Sequence, residues 1–151
     1  MKNTANYMKI TLAGHSKNES IARMCAAAFA SQLDPTIEEV SDIKAAVSEA
    51  VTNCIVHAYP DSIGDIDIKM KIIGDDTLYI KISDKGTGIE DVDKAMEPMF
   101  TTAPEDDRAG LGFAVMQSFT DSLKVRSKPG KGTAVTMIKT LRRRGRNGQT
   151  D

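Results

Sequence analysis

Glu49 and Asn53 stand four residues apart in a stretch that reads as helix. At about 100° per residue they lie roughly 40° apart, on one face beside an apolar stripe. A carboxylate and an amide at the edge of a core need partners. An Asn oxygen is a hard ligand suited to Mg2+, and a nearby Glu could take a proton from a hydroxyl. A solvent-facing Glu and an Asn near a helix end would show the same two residues. Asp84-Lys85-Gly86-Thr87-Gly88 follows a strand. An Asp there can accept from an amino group, and two glycines let backbone come close to a ligand. A turn with a bulge is the plainer reading of those five residues. Gly110-Leu111-Gly112 opens a helix, where free N–H groups and the positive dipole end suit phosphate. Its spacing is neither a Walker loop nor a Rossmann fingerprint. Gly132-Thr133 begins the last strand, where the hydroxyl could face a pocket or form a hairpin shoulder.

The elements that must position these residues can be read from periodicity. Residues 7–13 alternate, with Met8, Ile10 and Leu12 on one face, which predicts a half-buried strand. Ser16-Lys17-Asn18-Glu19 has the capping-box pattern. It predicts a helix to about residue 33 with Ile21, Met24, Cys25, Ala28 and Phe29 inward. Thr36-Ile37-Glu38-Glu39 is a second capping box. Behind it Val40, Ile43, Val47, Ala50, Val51, Cys54 and Ala58 form the stripe of a long helix to about residue 58. Two alternating strands, around Ile66–Ile72 and Leu78–Ile82, turn at Gly74-Asp75-Asp76. A short helix is expected within residues 89–96 and a mobile loop over 97–110. A helix is expected over 111–119 on Leu111, Val115 and Phe119. Strands over 122–128 and 133–141 flank Pro129-Gly130-Lys131-Gly132. Strands cluster and helices cover one side, so the expected class is α+β, a two-layer α/β sandwich. The domain is expected over 1–141. Residues 142–151, rich in arginine and without an apolar anchor, are expected to be a disordered basic tail.

Composition narrows the function. The 151 residues support one domain with a real core. Net charge is −1 and there is no Trp, which argues against a nucleic-acid binder. That total is a cancellation. Residues 1–33 carry 4 basic and 1 acidic side chains, residues 34–107 carry 6 and 18, and residues 108–146 carry 10 and 1. Cys25 and Cys54 are too few for a zinc site alone and are expected to be buried thiols in a reducing compartment. No signal-peptide core or membrane-length apolar run is present, so a cytoplasmic protein is expected.

Taken in order, Glu49…Asn53, Asp84…Gly88, Gly110…Gly112 and Gly132-Thr133 resemble the ATP-binding boxes of the gyrase, Hsp90, histidine-kinase and MutL (GHKL) superfamily. The resemblance covers residues 7–141. Ser48-Glu49-Ala50-Val51-Thr52-Asn53 and Glu97-Pro98-Met99-Phe100-Thr101-Thr102 further resemble the bacterial anti-sigma factor serine kinases, leaning to the sporulation, sigma F branch over the stress branch.

That resemblance implies a Bergerat-type fold with a mixed, mainly antiparallel sheet. It implies ATP/ADP and Mg2+ as ligands. Asp84 would receive the adenine amino group, Gly86 and Gly88 would shape the base pocket, and Thr133 would assist through water. Asn53 would hold Mg2+. Gly110, Leu111 and Gly112 would meet the phosphates, with Thr101 and Thr102 on the lid. Glu49 would be the general base for a serine hydroxyl, Arg108 would meet the γ-phosphate or the substrate, and Arg23 would dock a partner. The implied function is an anti-sigma factor and protein serine kinase. It would sequester a sigma factor of the F type and phosphorylate its anti-anti-sigma antagonist on serine. A homodimer joined through the N-terminal strand and helix is implied as well. Ala103 stands where relatives often carry Lys, and Cys54 where a small residue such as Ala is common. The alternatives are a nucleotide-gated sigma-binding module without kinase activity and the ATPase half of a histidine kinase. Neither His15 nor His57 heads a dimerisation helix, as the latter would need.

Overall fold

The computed structural model describes residues 3–96 and 112–141. The expected 97–110 loop, with Thr101, Thr102, Arg108 and Gly110, lies outside the described residues, as do Leu111 and the 142–151 tail.

Strand β1 (Thr4–Ala13) leads through a short loop to α1 (Asn18–Ala30), which tightens into a 3-10 turn at Ser31–Leu33. Helix α2 (Ile37–Asn53) passes directly into a π-helical turn, Cys54–Ala58. Strands β2 (Asp65–Ile73) and β3 (Thr77–Asp84) form a hairpin through Gly74. Two short helices follow, α3 (Val92–Ala95) and α4 (Phe113–Phe119), then β4 (Ser122–Ser127) and β5 (Thr133–Thr140). The sheet order is β1-β2-β3-β5-β4, and every pairing is antiparallel rather than mixed.

The helices cover one face. Ile66, Ile68, Met70, Leu78, Ile80, Ile82, Val135 and Met137 point into it and are buried against α1, α2 and α4. A two-layer sandwich therefore forms as the alternation predicted.

The α2 start follows its sequence signal. Thr36 Oγ1 accepts from Glu39 N at 3.0 Å and Glu39 Oε1 accepts from Thr36 N at 2.9 Å, a complete capping box. The α1 start does not. Its N-cap is Lys17, with no side-chain cap. Glu19 instead accepts from the Ser48 hydroxyl and pairs with Arg23 at 3.8 Å, so its carboxylate couples α1 to α2. The loop is tied by Asn18 Nδ2, which donates to Ala13 O at 2.9 Å.

The buried face of α1 is also rotated from expectation. Ala22, Ala26, Phe29 and Ala30 are buried, while Ile21 and Met24 are exposed, Ala28 is exposed and Cys25 is half-buried. Small residues let α1 lie close to α2, and close packing outweighs the larger transfer energy of Ile and Met. On α4 the same happens: Phe113 and Met116 are buried and Val115 is exposed.

Candidate functional site

The site forms where α2 ends, β3 ends and β5 begins. Alternation places Asp84, the last residue of β3, on the helix-covered side. It is 9% exposed, so its carboxylate needs internal donors. Oδ1 accepts from Gly86 N at 2.9 Å and from Thr133 N at 3.2 Å. Among the described residues Oδ2 accepts only the Cys54 thiol, at 3.4 Å. Each carboxylate oxygen can take about two hydrogen bonds. Oδ2 therefore keeps acceptor capacity for a donor arriving in the cleft.

Cys54 is buried, and burial, reinforced by the charge and hydrogen bond of Asp84, pushes its thiol far above the ordinary value. It is a protonated S–H donor and an unreactive thiol. The sequence placed it in the core stripe and missed its contact with Asp84, because a helical wheel does not show which strand end lies opposite.

The cleft beside Asp84 is lined by Asn53, Cys54, His57, Gly88, Phe113 and Thr133, with Ala50, Ala58, Ile82, Ile89 and Val135 as apolar wall. Its empty volume is about 380 Å3, partly open to solvent. Apolar walls around one fixed carboxylate suit a flat heteroaromatic ring carrying an amino group.

The π turn builds one wall of this cleft. Its wider backbone turns carbonyls toward the Asp84 loop, and π turns recur at functional sites. Thr87 N donates to Ala58 O at 3.0 Å and Thr87 Oγ1 donates to His57 O at 3.1 Å. A Cβ on Gly86 would collide with the Ala58 carbonyl. Gly86 thus permits backbone to approach backbone, where the sequence suggested approach to a ligand. On the other side Gly130 N donates to Thr87 O at 2.6 Å, which joins the loop to the β4–β5 turn. Tyr59 staples the loop from outside. Its hydroxyl donates to Asp65 O at 2.8 Å and accepts from Lys85 N at 2.7 Å, and burial pushes its pKa up.

Thr133 meets Asp84 through its backbone N–H, while its hydroxyl shares a 2.9 Å hydrogen bond with Ser127. Ser127 also accepts from Ile89 N at 2.8 Å. Sequence reasoning missed Ser127, since nothing in its neighbourhood marks it.

Asn53 faces the cleft. Glu49, one turn earlier on α2, reaches the start of α4. Gly112 caps α4 with φ of 71°, and a Cβ there would fall on the Glu49 carboxylate. The sequence pair is therefore split: the amide serves the cleft and the carboxylate abuts the Gly112 end. Arg23 stays half-exposed on α1, held by Glu19, which also takes the hydroxyl of Ser48, the neighbour of Glu49. Among the described residues no group of three or more acidic, His or Cys side chains could enclose a metal.

The histidine kinase-like ATPase domain family matches residues 15–139. An anti-sigma F factor of Caldanaerobacter subterraneus subsp. tengcongensis is 58% identical over 142 residues, 94% of this chain and 96% of that protein. An anti-sigma F factor of Clostridium acetobutylicum is 50% identical over 134 residues, 89% of this chain and 93% of that one. Among solved structures, the RsbU and RsbW domains of Rv1364c from Mycobacterium tuberculosis superpose with a TM-score of 0.68 at 19% identity, over 92% of this chain and 33% of that chain. That likeness shows the fold.

Proposed function

The chain belongs to the histidine kinase-like ATPases and, among them, to the anti-sigma F factors; from that premise we propose that it is an ATP-dependent protein serine kinase which holds a sigma factor and phosphorylates that factor's antagonist. The observation that carries the reading is the Asp84 carboxylate, braced on Oδ1 by two backbone N–H groups and left with capacity on Oδ2 inside an apolar cleft.

In this reading the adenine amino group donates to Asp84 Oδ2, and Ile89, Phe113 and Val135 exclude water from the ring. Asn53 would offer an amide oxygen to Mg2+, with phosphate oxygens and water supplying the rest, a donor set this ion accepts without a carboxylate cage. When bound, the ion neutralises charge developing on the phosphates. Gly112, with its left-handed backbone at the start of α4, would offer its N–H to the phosphates. Glu49, next to Gly112, accepts the proton of the serine hydroxyl that attacks the γ-phosphate. Gly110, Leu111, Arg108, Thr101 and Thr102 lie outside the described residues. The proposal gives them phosphate contact, γ-phosphate or substrate contact, and lid contact from the sequence alone.

Arg23 is proposed to dock the partner. A homodimer through β1 and α1 is supported by the outer position of β1 and by exposed Tyr7, Ile21 and Met24. Among the described residues no helix is long and apolar enough to cross a membrane.

The test is incubation with γ-labelled ATP, Mg2+ and a candidate antagonist. Label on antagonist serine with wild type, and its loss in Glu49→Gln with nucleotide binding intact, is the expected result. Equal label from Glu49→Gln removes Glu49 as the base. No label with wild type, alongside nucleotide-dependent sigma binding, would leave a binding module without kinase activity.

A further inference from the structure

Antiparallel alternation puts every second strand residue on the face the helices leave uncovered. In this sheet those residues include a row of cations. Lys9 on β1 stands opposite Lys69 on β2, and Lys69 stands opposite Lys81 on β3. The row continues through Thr136 on β5 to Lys124 on β4. Lys71 lies two residues along β2, and Arg126 lies two residues along β4. The carboxylates on this face are Asp65 and Asp67, and Thr11 donates to Asp67 at 2.6 Å. No carboxylate pairs with Lys9, Lys69, Lys71 or Lys81 among the described residues.

Like charges directly opposite in a sheet repel and destabilise it. Here the repulsion shows in the ammonium of Lys69. Lys71 above all, then slight burial, Lys9 and Lys81, push it below its ordinary value. A groove lined by Lys9, Thr11, Asp67, Lys69, Lys81 and Ser83 crosses the three strands. A row of cations kept at such cost on a flat uncovered face has a use if an anion covers it.

We infer that this face docks an acidic segment of a partner protein, laid across the strands from β1 toward β4. Charge complementarity and footprint both favour such an occupant. The five strands span about 19 Å at the usual strand spacing, the length of roughly a 13-residue helix. Carboxylates three or four apart on such a helix recur about every 5–6 Å, against the roughly 4.8 Å strand spacing that separates the lysines, a difference long flexible side chains span. Nucleic acid fits less well. Single-strand binding draws on open aromatic rings. This face offers Tyr7 and Tyr79, and the Lys71 ammonium lies 5.0 Å from the Tyr79 ring centre. The rest of the chain is net negative, since the total is −1, so a long polyanion running past the face would be repelled. The nucleotide cleft lies on the covered side, so the two surfaces are separable by experiment.

The probe is a fluorescein-labelled helical peptide of Glu and Ala with Glu at every fourth position, titrated by anisotropy in saturating ADP. Oligothymidylate and phosphatidylglycerol vesicles are titrated in parallel, with wild type and with Lys69→Gln/Lys81→Gln. Expected is binding to the peptide that weakens steeply with salt and falls about tenfold in the double variant, as loss of two facing charges would give. ADP affinity and thermal midpoint of the variant should not fall, which shows that it is folded. Peptide binding that the variant leaves unchanged overturns the inference. So does tighter binding of oligothymidylate or vesicles than of peptide. A shift in sedimentation from dimer to monomer in the double variant would also overturn it, by showing that a second copy covers the face.

Discussion

The two faces of the sheet solve opposite electrostatic problems. On the covered face one carboxylate, Asp84, is buried and surrounded by donors on both oxygens. On the open face Lys9, Lys69 and Lys81 stand side by side with no paired carboxylate among the described residues. The first arrangement is fixed before a ligand arrives, with acceptor capacity left on Oδ2 for the ligand to fill. The second is strained until something arrives. A preorganised site gains affinity by not having to reorganise. A repulsive face gains it by relief, so its contribution depends on salt and on the partner's charge. Backbone makes the difference: both donors to Asp84 Oδ1 are backbone N–H groups, Gly86 in the loop tied to the π turn and Thr133 at the start of β5, while the open face is all side chain.

The largest expected effect is on turnover. Glu49→Gln should lower phosphorylation of the antagonist by about 100-fold or more, the usual scale for a lost general base. ADP affinity should hold, because Glu49 meets Gly112 and not the base cleft. Next is base recognition. Asp84→Asn keeps an oxygen for Gly86 and Thr133, but turns an amide NH2 toward the thiol and the incoming amino group. ADP affinity by calorimetry should drop about 10- to 100-fold, the scale of a charge-assisted hydrogen bond. A change below twofold would mean that the covered face does not recognise the base through this carboxylate, and the contrast between the faces would lose its first term.

A smaller effect concerns stability. Gly112→Ala forces a side chain into a left-handed backbone and against Glu49, and should cost about 1–3 kcal/mol in urea unfolding. An unchanged midpoint would show that the Glu49 contact is not built in as described. The thiols sharpen the same point. With a thiol reagent Cys25 should react in the native state and Cys54 only on unfolding, since one is half-buried and the other buried. Cys54 has a raised folded pKa, so the stability it contributes is full below its ordinary 9.0 and is lost as pH climbs above that value. Cys54→Ser should retain a donor to Asp84 and keep ADP affinity, where Cys54→Ala should weaken it a few-fold.

Periodicity located most elements because alternation and helical spacing are local. It oriented α2 correctly, since Ile43, Val47 and Val51 are large and lie on one stripe. It misoriented α1 and α4, where tertiary packing chose Ala22 and Ala26 over Ile21 and Met24, and Phe113 and Met116 over Val115. Glu19 read as a cap and became a bridge to Ser48, a distinction only the neighbouring helix makes. At the site, Asp84, Asn53 and Gly86 were legible as residue types, but their division of labour was not. The π turn, Cys54 and Ser127 depend on segments far apart in sequence meeting at one corner. Charge shows the limit most plainly. Counting along the chain put positive charge in residues 108–146 beside the phosphate loop. The described cations of the open face come from β1, β2, β3 and β4, and strand alternation gathers them with no run in the sequence to announce it.

The smallest effect has an unusual sign, and it probes the open face with no ligand present. If Lys9, Lys69 and Lys81 repel, then Lys69→Gln should stabilise the free protein by a few tenths to about 1 kcal/mol, as for like charges facing each other in a sheet. The gain should fade in high salt, where exposed charges are screened within about 3 Å at 1 M. Asp84→Asn should behave in the opposite way. It removes a charge that three donors stabilise, so it should destabilise at every salt concentration. A Lys69→Gln variant less stable than wild type would mean that the row is held by attractive contacts. The open face would then be a second preorganised surface like the covered one, and the relief argument for its partner would fail.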